Sequence, residues 1–138
     1  MSESVTIRLR FDELGHEDAE VVEVAPNWFR VEHTPLFPTE PVYRGDIIEV
    51  ERLPDGTCRF VRIVEPSPLQ HFTWMVPRSF VESSEYEAFG AAVEAVGGAW
   101  EGIMGGVLHV HVPPEHVAAI ASELDRGIAA AKGKLGEA

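Results

Sequence analysis

The feature that most constrains this chain is a change of hydrophobic period at "PSPLQ", residues 66–70. Before it, apolar residues recur mainly every second position. After it, strand-like alternation is interleaved with runs at helical spacing. Because side chains alternate faces along a strand but recur every 3.6 residues on a helix, the change predicts two structural halves. They are an all-β half over 1–66 and a mixed half over 67–138, joined in one compact unit.

In the first half, "SVTIRLRF" places Val5, Ile7, Leu9 and Phe11 on one face and Thr6, Arg8 and Arg10 on the other. "AEVVEVA" and "WFRVEH" follow, separated by a "PN" turn, and read as a hairpin or meander. The loop "TPLFPTEPVYRGD" carries Pro35, Pro38 and Pro41, which cannot donate to a ladder. Its apolar Leu36, Phe37, Val42 and Tyr43 predict that it packs down. Gly45–Asp46 turns the chain into "IIEVERL", and "PDG" (54–56) is a tight turn into "TCRFVRIVE". Five short strands with tight turns predict a small, strongly bent antiparallel sheet or partial barrel.

Beyond the boundary, "HFTWMVP" alternates as a strand. "SSEYEAFGAAVEAVGG" predicts a helix with Ser84 and Glu87 as a capping box, an apolar stripe of Tyr86, Phe89, Val93 and Val96, and Gly97–Gly98 as its stop. "AWEGIM" and "VLHVHV" predict a hairpin around Gly105–Gly106, taken as a two-residue loop. Pro113 and Pro114 open a last helix with the stripe Val117, Ile120, Ala121, Leu124 and Ile128, before "AAKGKLGEA" frays. The order β-α-β-β-α is most of a ferredoxin-like split unit. The fold class expected is therefore α+β, a small bent sheet or partial barrel followed by a βαββα unit.

Charge narrows the function. The 23 acidic and 11 basic residues give −12, spread over both halves with no basic patch, so nucleic acid is not an expected partner. No apolar run approaches membrane-spanning length and no signal-peptide core opens the chain. A cytoplasmic protein that does not engage membranes is expected. The single cysteine, Cys58, excludes an intramolecular disulfide and reads as a buried structural thiol.

The chemistry-bearing candidates are histidines. In "LHVHVPPEH", alternation puts Leu108, Val110 and Val112 under the helices and His109 and His111 on the opposite face. A ferredoxin-like order brings His71 of "LQHFTW" beside them. Three imidazoles so placed make His71, His109 and His111 a candidate metal site, although bare strand histidines carry no ligand-spacing motif, and no carboxylate is placed with them from the sequence. His116, in the first turn of the last helix, falls outside the group. Ser79, Ser83 and Ser84 lie in no nucleophile elbow, so no catalytic residue is assigned. Trp28, Phe37, Tyr43 and Trp74 are a second candidate set, aromatic residues able to line a groove between the halves and bind a ligand or partner.

The blocks "WFRVEHTPLF", "YRGDIIEVE" and "DGTCRFVRIVEPSPLQHFT" resemble an uncharacterised bacterial family, domain of unknown function 4265, over about residues 20 to 115. Gly45–Asp46 match its Gly-Asp turn, and His71 and Thr73 its histidine–hydroxyl element. His33 or Thr34 stands where the family has asparagine, and "PSPLQH" where it has glycine-histidine. The resemblance implies no reaction.

Three functions follow as expectations. The first is a non-enzymatic interaction module, of inhibitor or immunity type, whose acidic surface meets a basic protein partner. The second is a small-molecule-sensing module, by analogy of the βαββα half. The third is a metal-dependent enzyme using His71, His109 and His111. No other cofactor is expected. An open sheet face or edge also makes a homodimer possible.

Overall fold

The computed structural model describes residues 3–136, apart from 14, 37, 39, 104 and 105, with backbone alone at 134–136. The chain is α+β and divides into two compact units, Met1–Ser67 and Pro68–Ala138.

The first unit is a five-stranded barrel, β1 (Ser4–Arg10), β2 (Glu17–Ala25), β3 (Trp28–Val31), β4 (Ile47–Arg52) and β5 (Cys58–Glu65). Each strand pairs antiparallel with the next. An odd number of strands in an up-and-down meander leaves the first and last running the same way. The ring therefore closes through a short parallel pairing of β1 with β5, Leu9 opposite Cys58 and Arg10 opposite Arg59. Closure needs curvature, and register shifts at Glu23/Ala25 in β2 and at two points of β4–β5 supply it. The interior holds Leu9, Val21, Phe29, Val31, Val42, Ile48, Val50, Cys58 and Phe60, all buried. Cys58 is a free, buried thiol.

Among its described residues the proline-bearing loop before β4 forms no strand, and it packs down only in part, since Leu36 is 54% exposed and Phe37 lies outside the described residues. Val42 is 1% exposed, and Thr34 and Asp46 are buried. Asp46 makes the loop's polar anchor. Its carboxylate accepts the Tyr43 N–H at 2.9 Å and the Ser67 N–H at 2.7 Å. Thr34 accepts the Arg44 N–H through its hydroxyl oxygen.

The second unit is a three-stranded antiparallel sheet of β6 (Gln70–Met75), β7 (Ala99–Ile103) and β8 (Val107–Val112), with β8 in the centre. Its helices are α1 (Arg78–Val81), α2 (Ser84–Ala95) and α3 (Val117–Gly136), the last preceded by a 3-10 turn at Pro114–His116. β6 and β7 run parallel with β8 inserted antiparallel between them, as a split βαβ unit requires. Leu108, Val110 and Val112 of β8 are fully buried with Phe80 of α1, Phe89 and Val93 of α2, and Ile120 and Leu124 of α3.

Four local expectations are corrected. The cap of α2 is Ser83 rather than Ser84, and it makes no side-chain capping bond. Its hydroxyl instead donates to the Phe80 carbonyl, which ties α2 to α1. The short helix α1 was not read from the sequence. The tail does not fray at "AAKGKLG": α3 continues to Gly136, held in part by Ala131, 2% exposed in the core.

The fourth correction concerns the hairpin. Ile103 pairs with Val107, so three residues separate the paired positions rather than two. Gly105 lies outside the described residues, but Gly106 has φ +84°, the left-handed glycine expected at the end of a three-residue hairpin loop. Because side chains alternate with a period of two, this single-residue difference moves every side chain of β7 to the opposite face.

At the end of α2 the chain turns by a Schellman motif. The Gly98 N–H bonds the Val93 carbonyl and the Gly97 N–H the Glu94 carbonyl, with Gly97 at φ +82°. A Cβ on Gly98 would stand 2.6 Å from the His111 carbonyl oxygen. The turn is thus pressed against β8 at the position of His111.

Candidate functional site

The candidate site is the face of the three-stranded sheet turned away from the helices. Register builds it. His71 lies directly across from His111, and Thr73 across from His109. On the other side of β8, Glu101 lies across from His109 and Ala99 across from His111. Alternation then sets His71 and Thr73 of β6, His109 and His111 of β8, and Glu101 of β7 on one face.

The side chains join in two hydrogen-bonded sets. In the first, His111 Nε2 lies 2.6 Å from Glu101 Oε2, and His111 Nδ1 lies 2.7 Å from His71 Nδ1. The two rings meet edge to face, with centroids 4.9 Å apart. His111 is 1% exposed and the Glu101 side chain 12%, whereas His71 is half-buried. The result is a carboxylate–imidazole–imidazole chain whose middle member is out of solvent. Both polar ends of a buried imidazole must be satisfied, and here a carboxylate and a second ring satisfy them.

In the second set, Thr73 Oγ1 lies 2.8 Å from His109 Nδ1. Burial pushes the His109 ring below the ordinary histidine pKa. The Glu101 carboxylate pulls it back up, and neighbouring His111 adds to the depression. The balance keeps the His109 pKa below the ordinary histidine value, and its Nδ1 shares one hydrogen bond with the Thr73 hydroxyl.

The structure thus brings all three predicted histidines onto one face. They are joined by ring–ring and ring–hydroxyl hydrogen bonds. Two facing nitrogens 2.7 Å apart share a proton and cannot both address a metal in this arrangement. Among the described residues no group of three or more His, Cys, Asp or Glu side chains is arranged to hold a metal ion.

Glu101 is the carboxylate whose facing the sequence leaves open: it lies on the neighbouring hairpin strand, and the register that pairs it with His109 decides its face. A three-residue loop ending in Gly106 would have placed it opposite His109. Thr73 shares the His71 face by alternation in "HFTWMVP" and also matches the histidine–hydroxyl element of the family resemblance.

The aromatic candidates fall in different surroundings. Trp28 is on β3 and 37% exposed. Tyr43 is half-buried in the loop before β4. Phe37 lies outside the described residues. Trp74, on the helix-facing side of β6, stacks on Phe72 with centroids 5.4 Å apart and packs against the second unit's own core.

No protein-family model matches the chain, and no curated protein matches it. A search of solved structures finds a hypothetical protein from Neisseria gonorrhoeae, with a TM-score of 0.57 at 20% identity. The match covers 91% of this chain and 86% of that one. At that identity the likeness shows a shared α+β fold. No helix among the described residues is long and apolar enough to cross a membrane.

Proposed function

We propose that this chain is a non-enzymatic interaction module of the bacterial cytoplasm that binds a basic protein partner, in the manner of an inhibitor or immunity protein. The observation that carries the reading is how charge is distributed. In the barrel unit, Arg10, Arg30, Arg52, Arg59 and Arg62 each pair with a carboxylate, Asp55, Glu32, Glu23, Glu51 and Glu49 respectively. These pairs are exposed and add little stability, but they neutralise most of the unit's basic charge. The acidic excess behind the net −12 then stands uncompensated and sets a negative field that steers basic partners.

The test is capture on the immobilised full-length chain at low salt, followed by salt elution. The reading expects a basic protein released as ionic strength rises and screening shortens to about 10 Å at 0.1 M. Recovery of no basic protein, with a small molecule co-purifying instead, overturns it.

A second reading, a small-molecule site on the sheet face, is favoured by one specific observation, the Glu101–His111–His71 chain. Buried titratable groups joined in series are costly and concentrate at functional sites. The resemblance to domain of unknown function 4265 accords with it, since His71 and Thr73 are the residues that match its last element. A ligand that binds only the folded state raises the melting temperature in a metabolite screen; no response across donor, acceptor and metal-ion probes sinks this reading.

A further inference from the structure

We propose that β6 is a homodimerisation edge: two copies of the chain pair their β6 strands antiparallel about a two-fold axis at Trp74, joining two three-stranded sheets into one. The direction of the backbone groups comes first. β6 pairs with β8 on one side, and among the described residues no strand pairs with it on the other. Antiparallel ladders alternate residues that bond the neighbouring strand with residues that point away from it. The Val76 N–H bonds the Gly106 carbonyl at 2.8 Å, on the β8 side. Val76, Trp74 and Phe72 therefore bond inward, and the N–H and C=O groups of Thr73 and Met75 point out from the open edge. Thr73 is exposed, and Met75 is 72% exposed.

An open edge is ordinarily guarded by charge, proline or a bulge. β6 has none of these. From Leu69 to Val76 there is no Asp, Glu, Lys, Arg or Pro, and the register with β8 runs without a shift. The opposite edge strand, β7, carries Glu101. In a chain of net charge −12 two copies repel over most of their surface, and this uncharged strand is where they meet at least electrostatic cost. The same neutrality disfavours an extended basic peptide as the occupant, because β6 offers its lysines or arginines no carboxylate.

The register is self-complementary. With the axis at Trp74, Thr73 of one copy lies opposite Met75 of the second copy, and the reverse. Each such pair exchanges two N–H···O bonds. Trp74 meets its own counterpart in the intervening non-hydrogen-bonded position, where side chains come closest and aromatic pairs are favourable. Pro77, which has no N–H, keeps the ladder from lengthening. A pairing of this isologous kind uses up the edge and closes at the dimer.

The experiment is sedimentation of the full-length chain over a concentration series, with amide hydrogen exchange on the same samples. The expected result is a reversible species of twice the 15.2 kDa chain mass, in which the Thr73 and Met75 amides are protected. On dilution to the monomer these two lose protection, while the Trp74 amide, bonded to β8, keeps it. Met75→Glu sets a like charge on each side of the axis and weakens the dimer about tenfold or more. Val61→Glu, the same change at a 43% exposed site on β5, leaves it nearly unchanged. Met75→Pro removes one donor from each copy at an edge position that tolerates proline, and it weakens the dimer as well.

A chain that sediments as a monomer at every concentration overturns the proposal. So does a dimer that Met75→Glu and Met75→Pro leave intact, or one whose Thr73 and Met75 amides exchange freely. A monomer in which an extended lysine-rich peptide protects those two amides assigns the edge to a basic partner and overturns it equally.

Discussion

Replacing Glu101 by leucine removes the acceptor 2.6 Å from His111 Nε2. His111 is 1% exposed, so no bulk water replaces the carboxylate, and its N–H is left unsatisfied at about 1–3 kcal/mol. Two effects pull toward the lower part of that range. The carboxylate's own desolvation cost disappears, and leucine adds apolar contact. The net expectation is about 1–2 kcal/mol of destabilisation. For a unit the size of Pro68–Ala138, each kcal/mol moves the melting temperature by about 4–8 °C.

The reciprocal change, His111→Leu, takes the imidazole partner from a largely buried carboxylate and costs more than Glu101→Leu, toward the 3–5 kcal/mol of broken buried pairs. Replacing both removes both unmet demands, so the double variant is more stable than the sum of the singles requires, with a coupling of about 0.5–3 kcal/mol. Urea unfolding followed by circular dichroism measures all four proteins. A Glu101→Leu midpoint equal to wild type, or strictly additive singles, refutes the claim that the carboxylate supports the buried ring.

Asp46→Ala strips the acceptor from the Tyr43 and Ser67 N–H groups and costs about 2–4 kcal/mol in urea unfolding, with each charge-assisted bond contributing about 1.5–3 kcal/mol gross. Gly98→Ala drives a Cβ to 2.6 Å from the His111 carbonyl and lowers the melting temperature more than Gly133→Ala, whose Cβ meets nothing within 4 Å. The pH dependence of His109 follows from its lowered pKa. The unfolded ring takes up a proton at about 6.5 and the folded ring only at lower pH, so its contribution is fully present above about 6.5 and is lost as pH falls through the folded value. Denaturant midpoints measured from pH 7.5 to 5 decline less in His109→Gln than in wild type if this holds. Phe80→Ala empties a fully buried ring site among α1, α2 and α3 and costs about 3–5 kcal/mol, read as loss of the cooperative transition at 37 °C.

The legible parts of the fold are those written in local pattern. Alternation in "VLHVHV" put Leu108, Val110 and Val112 in the core and His109 and His111 opposite, and the βαββα order placed His71 beside them. The proline-bearing loop announced its own packing through Val42. What escaped depends on register and closure. The parallel β1–β5 seam joins residues far apart in sequence and leaves no periodic mark. The hairpin slip at Ile103–Val107 is one residue, below the resolution of composition, yet it alone decides whether Glu101 faces the histidines or the helices. The burial of His111 is a tertiary property, and a histidine on the face away from the helices gives no local sign that it is 1% exposed.

The central claim is that Glu101, His111 and His71 form one hydrogen-bonded chain. The most direct test is the scalar coupling between the two Nδ1 nitrogens across the N–H···N bond, measured on 15N-labelled protein. The account expects a resolved coupling between His71 Nδ1 and His111 Nδ1, which lie 2.7 Å apart, that vanishes when His71 is replaced by leucine. Both rings assigned in the folded protein with no coupling between them would contradict it.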